Sequence, residues 1–258
     1  MRLVGAYDTL RLSIYKQRGL RGDHIGVDRL GHSTLLRFED VGYFNAVYSN
    51  GPDIFNHLLA IERHYHSSPH GCRLTSAVLH DTGPLADQCR LRGWTPAESY
   101  VWLSGSVPRR IARPLTSLTV RQPRKDEARV FFRIYLEAFD ADPARFASAI
   151  ENMRWLFDEP ALHFRLAFDG YRPVGVGMLL HRGPDALLCA AAMVPSHRRL
   201  GGHEALLAAR FGLARDLGCT TLHSWAHAGG PSHANMTRAG LKAVALTRCW
   251  RWRAGGHP

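Results

Sequence analysis

The nine residues Ala186-Leu187-Leu188-Cys189-Ala190-Ala191-Ala192-Met193-Val194 carry no polar side chain. A run this short cannot span a bilayer, which takes about 20 apolar residues. Without an alternating polar face, it reads as a central strand buried on both sides of a sheet. Pro195 ends that strand, the loop Ser196-His197-Arg198-Arg199-Leu200 follows, and Gly201-Gly202 lead at once into a helix expected over about 202–217, closed by Gly218. The first N–H groups of a helix lack partners inside it, and the helix dipole adds partial positive charge there. Glycines let backbone approach a ligand closely, and two arginines supply charge-assisted bonds to anionic oxygens. Strand, proline, arginine loop and helix in one run therefore describe a cradle for a phosphate group.

The surrounding pattern alternates strand and helix. Ser117–Gln122 reads as a strand, and helices are expected over 124–139 and 143–157, the first with Val130, Phe131, Ile134, Tyr135 and Ala138 on one face. Leu162–Phe168 and Pro173–Leu180 form a hairpin about the turn pair Asp169-Gly170. After the cradle helix come a strand at 219–227, a short helix near 232–239 and a strand at 242–252. The polar stretch Pro108-Arg109-Arg110-Ile111-Ala112-Arg113-Pro114 is bracketed by prolines and marks a boundary near residue 113. Before it, a helix is expected at 8–18, then a Gly-rich stretch, strands Thr34–Glu39 and Tyr43–Ser49, and a helix with Ile54, Leu58, Ile61 and Tyr65 in register. A strand at Cys72–His80, a helix at Pro84–Leu91 and a strand at Ser99–Ser104 complete an order β-β-α-β-α-β after the first helix. The class expected is α/β, a mixed sheet covered by helices.

Composition narrows the function. The formal net charge of +11 invites a nucleic-acid partner, yet only Lys16, Lys125 and Lys242 are lysines and the arginines are scattered, with no stripe of interleaved stacking aromatics. Nucleic acid is therefore not the expected partner, and neither is a membrane. The N-terminal residues do not resemble a secretory signal. Five dispersed cysteines without a CxxC pair argue for reduced thiols in a cytoplasmic protein, without a disulfide framework or a zinc site. His64-Tyr65-His66 with His70 lacks a carboxylate or cysteine at ligand spacing, so no metal is expected.

The segment from Met193 to His203 resembles the acetyl-CoA signature of the GCN5-related N-acetyltransferases (GNAT), V-x-P-x-x-R-x-x-G-x-G/A between a strand and a helix. Met193, Pro195, Arg198 and Gly201 fall on that pattern, and His203 stands at its final Gly/Ala position. The element order of residues 117–252 is similar to that fold throughout. The resemblance implies that acetyl-CoA is the co-substrate. It places the CoA pyrophosphate on the N–H groups of Arg199, Leu200, Gly201, Gly202, His203 and Glu204, beside Arg198. The backbone of Ala191, Met193 and Val194 would pair with the pantetheine arm where the two central strands splay apart. The family helix after the fifth strand often reads Y-E-x-x-G-F, its Tyr protonating the departing thiolate. Setting Gly240-Leu241 on G-F puts Met236 at the Tyr position, so no proton donor is carried over. Thiolate, from a thiol of pKa about 8.5, is a fair leaving group without one. Asn235 and Ser232 are read either as CoA contacts or as helix N-caps.

Amine acetylation in a ternary complex needs a neutral amine, a donor for the developing oxyanion and a proton acceptor. A backbone N–H on Ala190–Met193 is the expected oxyanion donor; His223, His227 and Glu204 are the candidates for the base. Phe131, Tyr135, Phe139, Trp155 and Phe157 are core or line an acceptor pocket. Residues 43–104 resemble the later part of the same fold. There Leu91-Arg92-Gly93-Trp94 before Tyr100-Val101-Trp102-Leu103 parallels Arg238-Ala239-Gly240-Leu241 before Cys249-Trp250-Arg251-Trp252. With no R-x-x-G-x-G/A loop, that half is expected to be degenerate and to bind no second acetyl-CoA. The whole is read as a tandem: residues 1–113 a degenerate half, residues 114–258 an acetyltransferase acting on the primary amine of a small molecule. A protein or peptide acceptor, and a non-catalytic acyl-CoA-binding module, are the alternatives; a homodimer is compatible with either.

Overall fold

The computed structural model describes residues 2–255. The chain divides into two compact units, one reaching to Trp102 and regaining the chain from Ala245 onward, the other Leu103–Val244. The division does not fall at a single point near residue 113, because the last strand returns to the first unit.

In the first unit, helix α1 (Arg2–Arg18) precedes strands β1 (Ile25–Leu30), β2 (Ser33–Phe38) and β3 (Ala46–Ser49). Helix α2 (Ile54–Tyr65), strand β4 (Cys72–Ser76), helix α3 (Pro84–Leu91) and strand β5 (Thr95–Ser106) follow. Helix α1 starts six residues before the expected position. Its buried stripe Val4, Tyr7, Asp8, Arg11, Leu12 and Tyr15 keeps helical spacing from the start. Strand β1, absent from the sequence reading, is joined to β2 by the turn at Gly31, φ +54°, in a six-pair antiparallel ladder. The glycine density that disguised it supplies its turn.

Strands β2 and β3 pair antiparallel, and β3 and β4 parallel with α2 as the crossover. The far part of strand β11 (Lys242–Trp252) pairs antiparallel with β4, Trp250 opposite Leu74. Val47, Ile54, Leu58, Ile61, Tyr65, Leu74, Trp94 and Trp250 form the core of this unit. Inside it Glu62, 8% exposed, accepts from Arg92 Nε and Nη2 at 2.7 and 2.6 Å and from Trp94 Nε1 at 2.8 Å. Glu62→Gln keeps the shape but sets an amide N–H₂ against these donors. Its expected cost is about 2 kcal/mol, read as a lower urea midpoint at unchanged slope.

The second unit runs from strand β6 (Thr119–Arg121) through helices α4 (Ala128–Ala138) and α5 (Phe146–Met153) to strands β7 (Leu162–Asp169), β8 (Arg172–Arg182) and β9 (Asp185–Met193). Helix α6 (Gly202–Asp216), strand β10 (Thr221–His227) and helix α7 (Pro231–Arg238) complete it. The strand order is β10-β9-β8-β7-β6, with only β9 and β10 parallel. Helix α4 is shorter than expected because Glu127 folds back to accept from Arg124 N at 2.7 Å and from Arg121, leaving Lys125–Glu127 as a 3₁₀ turn. The segment expected as a helix over 143–157 is α5 between 3₁₀ turns at Pro143–Arg145 and Arg154–Asp158. Phe131, Phe132, Phe157 and Phe164 pack as one aromatic cluster, with Phe157 stacked on Phe164 at 4.1 Å between centroids. That accounts for two of the five candidate acceptor-pocket aromatics. Phe139 is half exposed and stands against Tyr135, with ring centroids 4.8 Å apart.

Candidate functional site

Strand β9 is buried from Ala186 to Cys189 and again at Met193; Ala190, Ala191 and Ala192 between them are partly open to solvent. The reason is the strand beside it. Strand β10 pairs with β9 at Thr221↔Asp185, Leu222↔Ala186 and His223↔Leu187, and the ladder stops there. One side-chain bond, Ser224 Oγ donating to Leu188 O at 2.9 Å, continues past that point. Beyond it the edge of β9 toward β10 is free of strand pairing, the splay that the resemblance implies. On the other side, β8 pairs Met178 with Cys189 and then Gly177 with Ala191, so Ala190 is an extra, bulged residue with φ +32°. A bulge re-aims the backbone beside it.

At the C-terminal end of β9, Pro195–His197 make one 3₁₀ turn, and the chain reverses through Arg199 (φ +66°) and Gly201 (φ +75°) into α6. Both left-handed residues turn the loop sharply, so that α6 starts directly behind the strand. Thr116 Oγ1 donates to Leu200 O at 2.6 Å and accepts from Leu118 N at 3.2 Å, fixing the loop from outside. A Cβ on Gly201 would stand 3.0 Å from Thr116 Cβ, and one on Gly202 2.5 Å from Met193 Cε. The close approach of Thr116 and Met193 requires glycine at both positions, and no side chain caps the start of α6, so its first N–H groups carry no side-chain acceptor.

The candidate binding residues divide. Met193 and Val194 are buried, while Ala191 stands on the open edge. Arg198, Arg199 and Leu200 are all exposed, but Arg198 is tied to the loop, its Nη2 donating to Ala138 O at 3.2 Å and its Nε to Met193 O at 3.4 Å. Asn235 accepts from Arg238, which also lies 3.5 Å from Glu204. Asn235, Arg238 and Glu204 thus tie α7 to the start of α6. Met236 is buried, 3% exposed.

His203 is mostly buried, its Nδ1 without a hydrogen-bond partner among the described residues. Burial, with Arg210 adding to it, lowers its pKa to about 4, so the ring is neutral at pH 7. In the unfolded chain His takes a proton near pH 6.5, in the folded one only near 4. The unfolded state therefore binds more protons between these values, and stability falls as pH drops through that window, then levels off. The expected loss is at most about 2 kcal/mol once the ring's residual contact with water is counted. It should be absent in His203→Ala, as urea titrations at pH 7, 5.5 and 4 would show.

The base candidates are far apart. His223 is the last paired residue before the strands part, and its Nε2 lies 3.0 Å from Asp185 Oδ1, with both side chains about one-third exposed. His227 lies four residues, about 13 Å, further along β10. Glu204 sits at the rim with Arg238. His223 stands at the apex of the splay with a carboxylate beside its ring. Asp185 escaped sequence reasoning; the one available signal was that strand register sets residues 185 and 223 on adjacent strands.

The first unit repeats the parallel pair with its crossover helix, β3-α2-β4, but not the site. Its ladder runs to the last residue of both strands, Ser49↔Ser76, so nothing parts. In the loop before α2, the Asp53 carboxylate accepts from His32 N at 2.9 Å and lies 3.1 Å from His32 Nδ1. That backbone bond holds the carboxyl below its ordinary pKa, so the residue before α2 carries an anion turned to His32. Among the described residues no cluster of His, Cys, Asp and Glu suited to a metal ion occurs, and no helix is long and apolar enough to cross a membrane.

No protein-family profile matches the chain. No curated protein is similar to it in sequence. Solved structures are similar over nearly the whole length. A GCN5-related N-acetyltransferase from Sphaerobacter thermophilus superposes with TM-score 0.65 at 15% identity, over 90% of this chain and 83% of that one. One from Kribbella flavida gives 0.60 at 18%, over 95% of each chain. A tandem GNAT protein from the clavulanic acid biosynthesis pathway gives 0.60 at 13%, over 96% of this chain and 88% of that one. With the mixed sheet and the parting of β9 from β10, these likenesses identify the fold of the chain as that of the GCN5-related N-acetyltransferases.

Proposed function

We propose that the protein is an acyl-CoA-dependent N-acyltransferase, with acetyl-CoA as donor and the primary amine of a small molecule as acceptor, held in the second half of the chain. The observation that supports it most is the coincidence of two features on one strand. Strand β9 has no strand partner on its β10 side beyond Leu187, and the same strand runs into a glycine-rich helix start without a side-chain cap. An open strand edge can hydrogen-bond the amide groups of a pantetheine arm, and a bare helix start can hold its pyrophosphate.

The residues then have distinct tasks. N–H groups of 199–204 hold the diphosphate, with Arg199 facing solvent beside them and Arg198 bracing the loop through its two carbonyls. The edge of Ala191–Val194 aligns the arm. A backbone N–H of the bulged stretch 190–193 faces the charge that develops on the thioester oxygen. His223, oriented by Asp185, accepts the amine proton, and the thiolate departs without a donor at Met236. His227, Glu204 and Asn235 belong to the rim rather than to the proton path. The first half, residues 1–113, is a degenerate copy that holds no second donor molecule.

Met236 in the position of the family Tyr favours one other reading, a module that binds acyl-CoA without turning it over. Calorimetric titration with acetyl-CoA, with CoA and ATP as controls, is expected to give micromolar binding at one site per chain. Thiol release with a panel of amines then separates enzyme from binder. No binding of acetyl-CoA or CoA would overturn the proposal. Release that requires an acidic peptide in place of a small amine would move the acceptor to a protein.

A further inference from the structure

Helix α6 carries a cation where none is needed for packing. Arg210 is 2% exposed, and among the described residues no carboxylate lies within ion-pairing distance of it. All its bonds go to carbonyls. Nε donates to Leu206 O, one turn back, at 3.0 Å, and Nη1 donates to Met178 O and Cys189 O, both at 3.3 Å. Burial lowers its pKa to about 10, which still leaves it charged at pH 7. An isolated buried cation is costly, and a well-packed aliphatic side chain of similar volume is ordinarily the more stable choice.

The two strand carbonyls it holds are not arbitrary. Met178 and Cys189 are the last regular pair of the β8–β9 ladder before the bulge, and Ala190, with φ +32°, is the next residue. Gly177, the partner of Ala191, leaves the guanidinium its room: a Cβ there would stand 3.2 Å from Arg210 Nε and 3.4 Å from Cδ. A left-handed alanine persists only where its surroundings over-determine it. The guanidinium provides that constraint from behind the strand, on the stretch where β10 has already parted from β9.

We infer that Arg210 is a positioning residue for acyl transfer, pinning the β9 bulge and polarising the Cys189–Ala190 peptide so that its N–H becomes a stronger, fixed donor to the thioester carbonyl. The inference rests on the acyltransferase reading above. A hydrogen bond to a peptide oxygen draws charge toward it and strengthens the N–H of the same peptide unit. The buried charge is thereby spent on orientation and polarisation of the donor rather than on stability. Arg210 itself touches no reacting atom.

Infrared difference spectra of acetyl-CoA labelled with ¹³C at the thioester carbonyl test this without any acceptor. Bound to the native protein, the carbonyl stretch is expected at lower frequency than in water. Arg210→Met should bind acetyl-CoA within about threefold of native yet lose at least half of that shift. Once an amine acceptor is found, it should also lower kcat about tenfold at similar KM. A folded Arg210→Met that retains the full shift overturns the inference. Should Met prevent folding, Arg210→Lys decides, since its ammonium ends short of the place Nη1 takes between the two carbonyls and has no counterpart of the Nε bond to Leu206 O that fixes the guanidinium. A reduced shift is expected there, and a native one overturns the inference. Native protein that binds acetyl-CoA with no shift overturns this inference but leaves the donor site standing. Native protein that binds no acetyl-CoA overturns both.

Discussion

Gly201→Val is expected to weaken acetyl-CoA binding about a hundredfold, close to 3 kcal/mol, in a protein that stays folded. Three effects add at this one position. The residue sits at φ +75°, where a branched side chain costs about 1–2 kcal/mol in backbone conformation alone. Its Cβ would press on Thr116 Cβ at 3.0 Å and Leu115 O at 3.2 Å, both held by the Thr116–Leu200 bond, so the loop and not the neighbour must shift. The shift misaims the first N–H groups of α6, which are the groups proposed to hold the diphosphate. Gly202 is a milder case. The atoms a Cβ would meet there are the flexible thioether end of Met193, which can swing away, and Gly202→Ala should cost less than about fivefold. Arg198→Ala adds to Gly201→Val by loosening the loop from Ala138 and Met193. Calorimetry with acetyl-CoA and a thermal melt on each variant check this; Tm should drop by about 5 °C for Gly201→Val. Native affinity in the folded double variant Gly201→Val/Arg198→Ala would remove the cradle from the site.

The strand, turn and helix start of the proposed cradle could be read from the sequence because they are local. A polar-free strand, a proline stop, positive-φ glycines and a helix start are all properties of consecutive residues, and so is the hairpin at Asp169-Gly170. What escaped depends on register or on the partner strand. Strand β1 hides among glycines until its pairing with β2 is known. The opening of Ala190–Ala192 follows from where the pairing with β10 stops, which no composition of β9 can tell. Asp185 beside His223, the bulge at Ala190 and the clamp by Arg210 all follow from which residues of neighbouring strands and helices meet. An arginine in the middle of an otherwise apolar helix face, at the position facing the sheet, was the single local sign of the last.

His223→Ala is expected to lower kcat about a hundredfold with the best amine of the panel, while the Kd for acetyl-CoA stays within about twofold. The split follows from position. His223 closes the paired part of the β9–β10 ladder, so it flanks the apex of the splay and not the track proposed for the diphosphate arm. Its partner defines its tautomer. With Nε2 engaged by Asp185 at 3.0 Å, Nδ1 is the nitrogen left to accept a proton, and the carboxylate stabilises the imidazolium that results. Asp185→Asn keeps the contact but not the charge, and its expected effect is smaller, about tenfold in kcat. The proton acceptor itself matters more than the carboxylate that orients it, so the loss at His223 should exceed that at Asp185. Its absence from the chemistry would be plain from a His223→Ala rate within twofold of native at pH 7. The proton would then have to leave through His227, four residues along the same strand, or through the Glu204–Arg238 pair at the rim. His227→Ala and Glu204→Gln, each expected to change kcat by less than about threefold, would identify which.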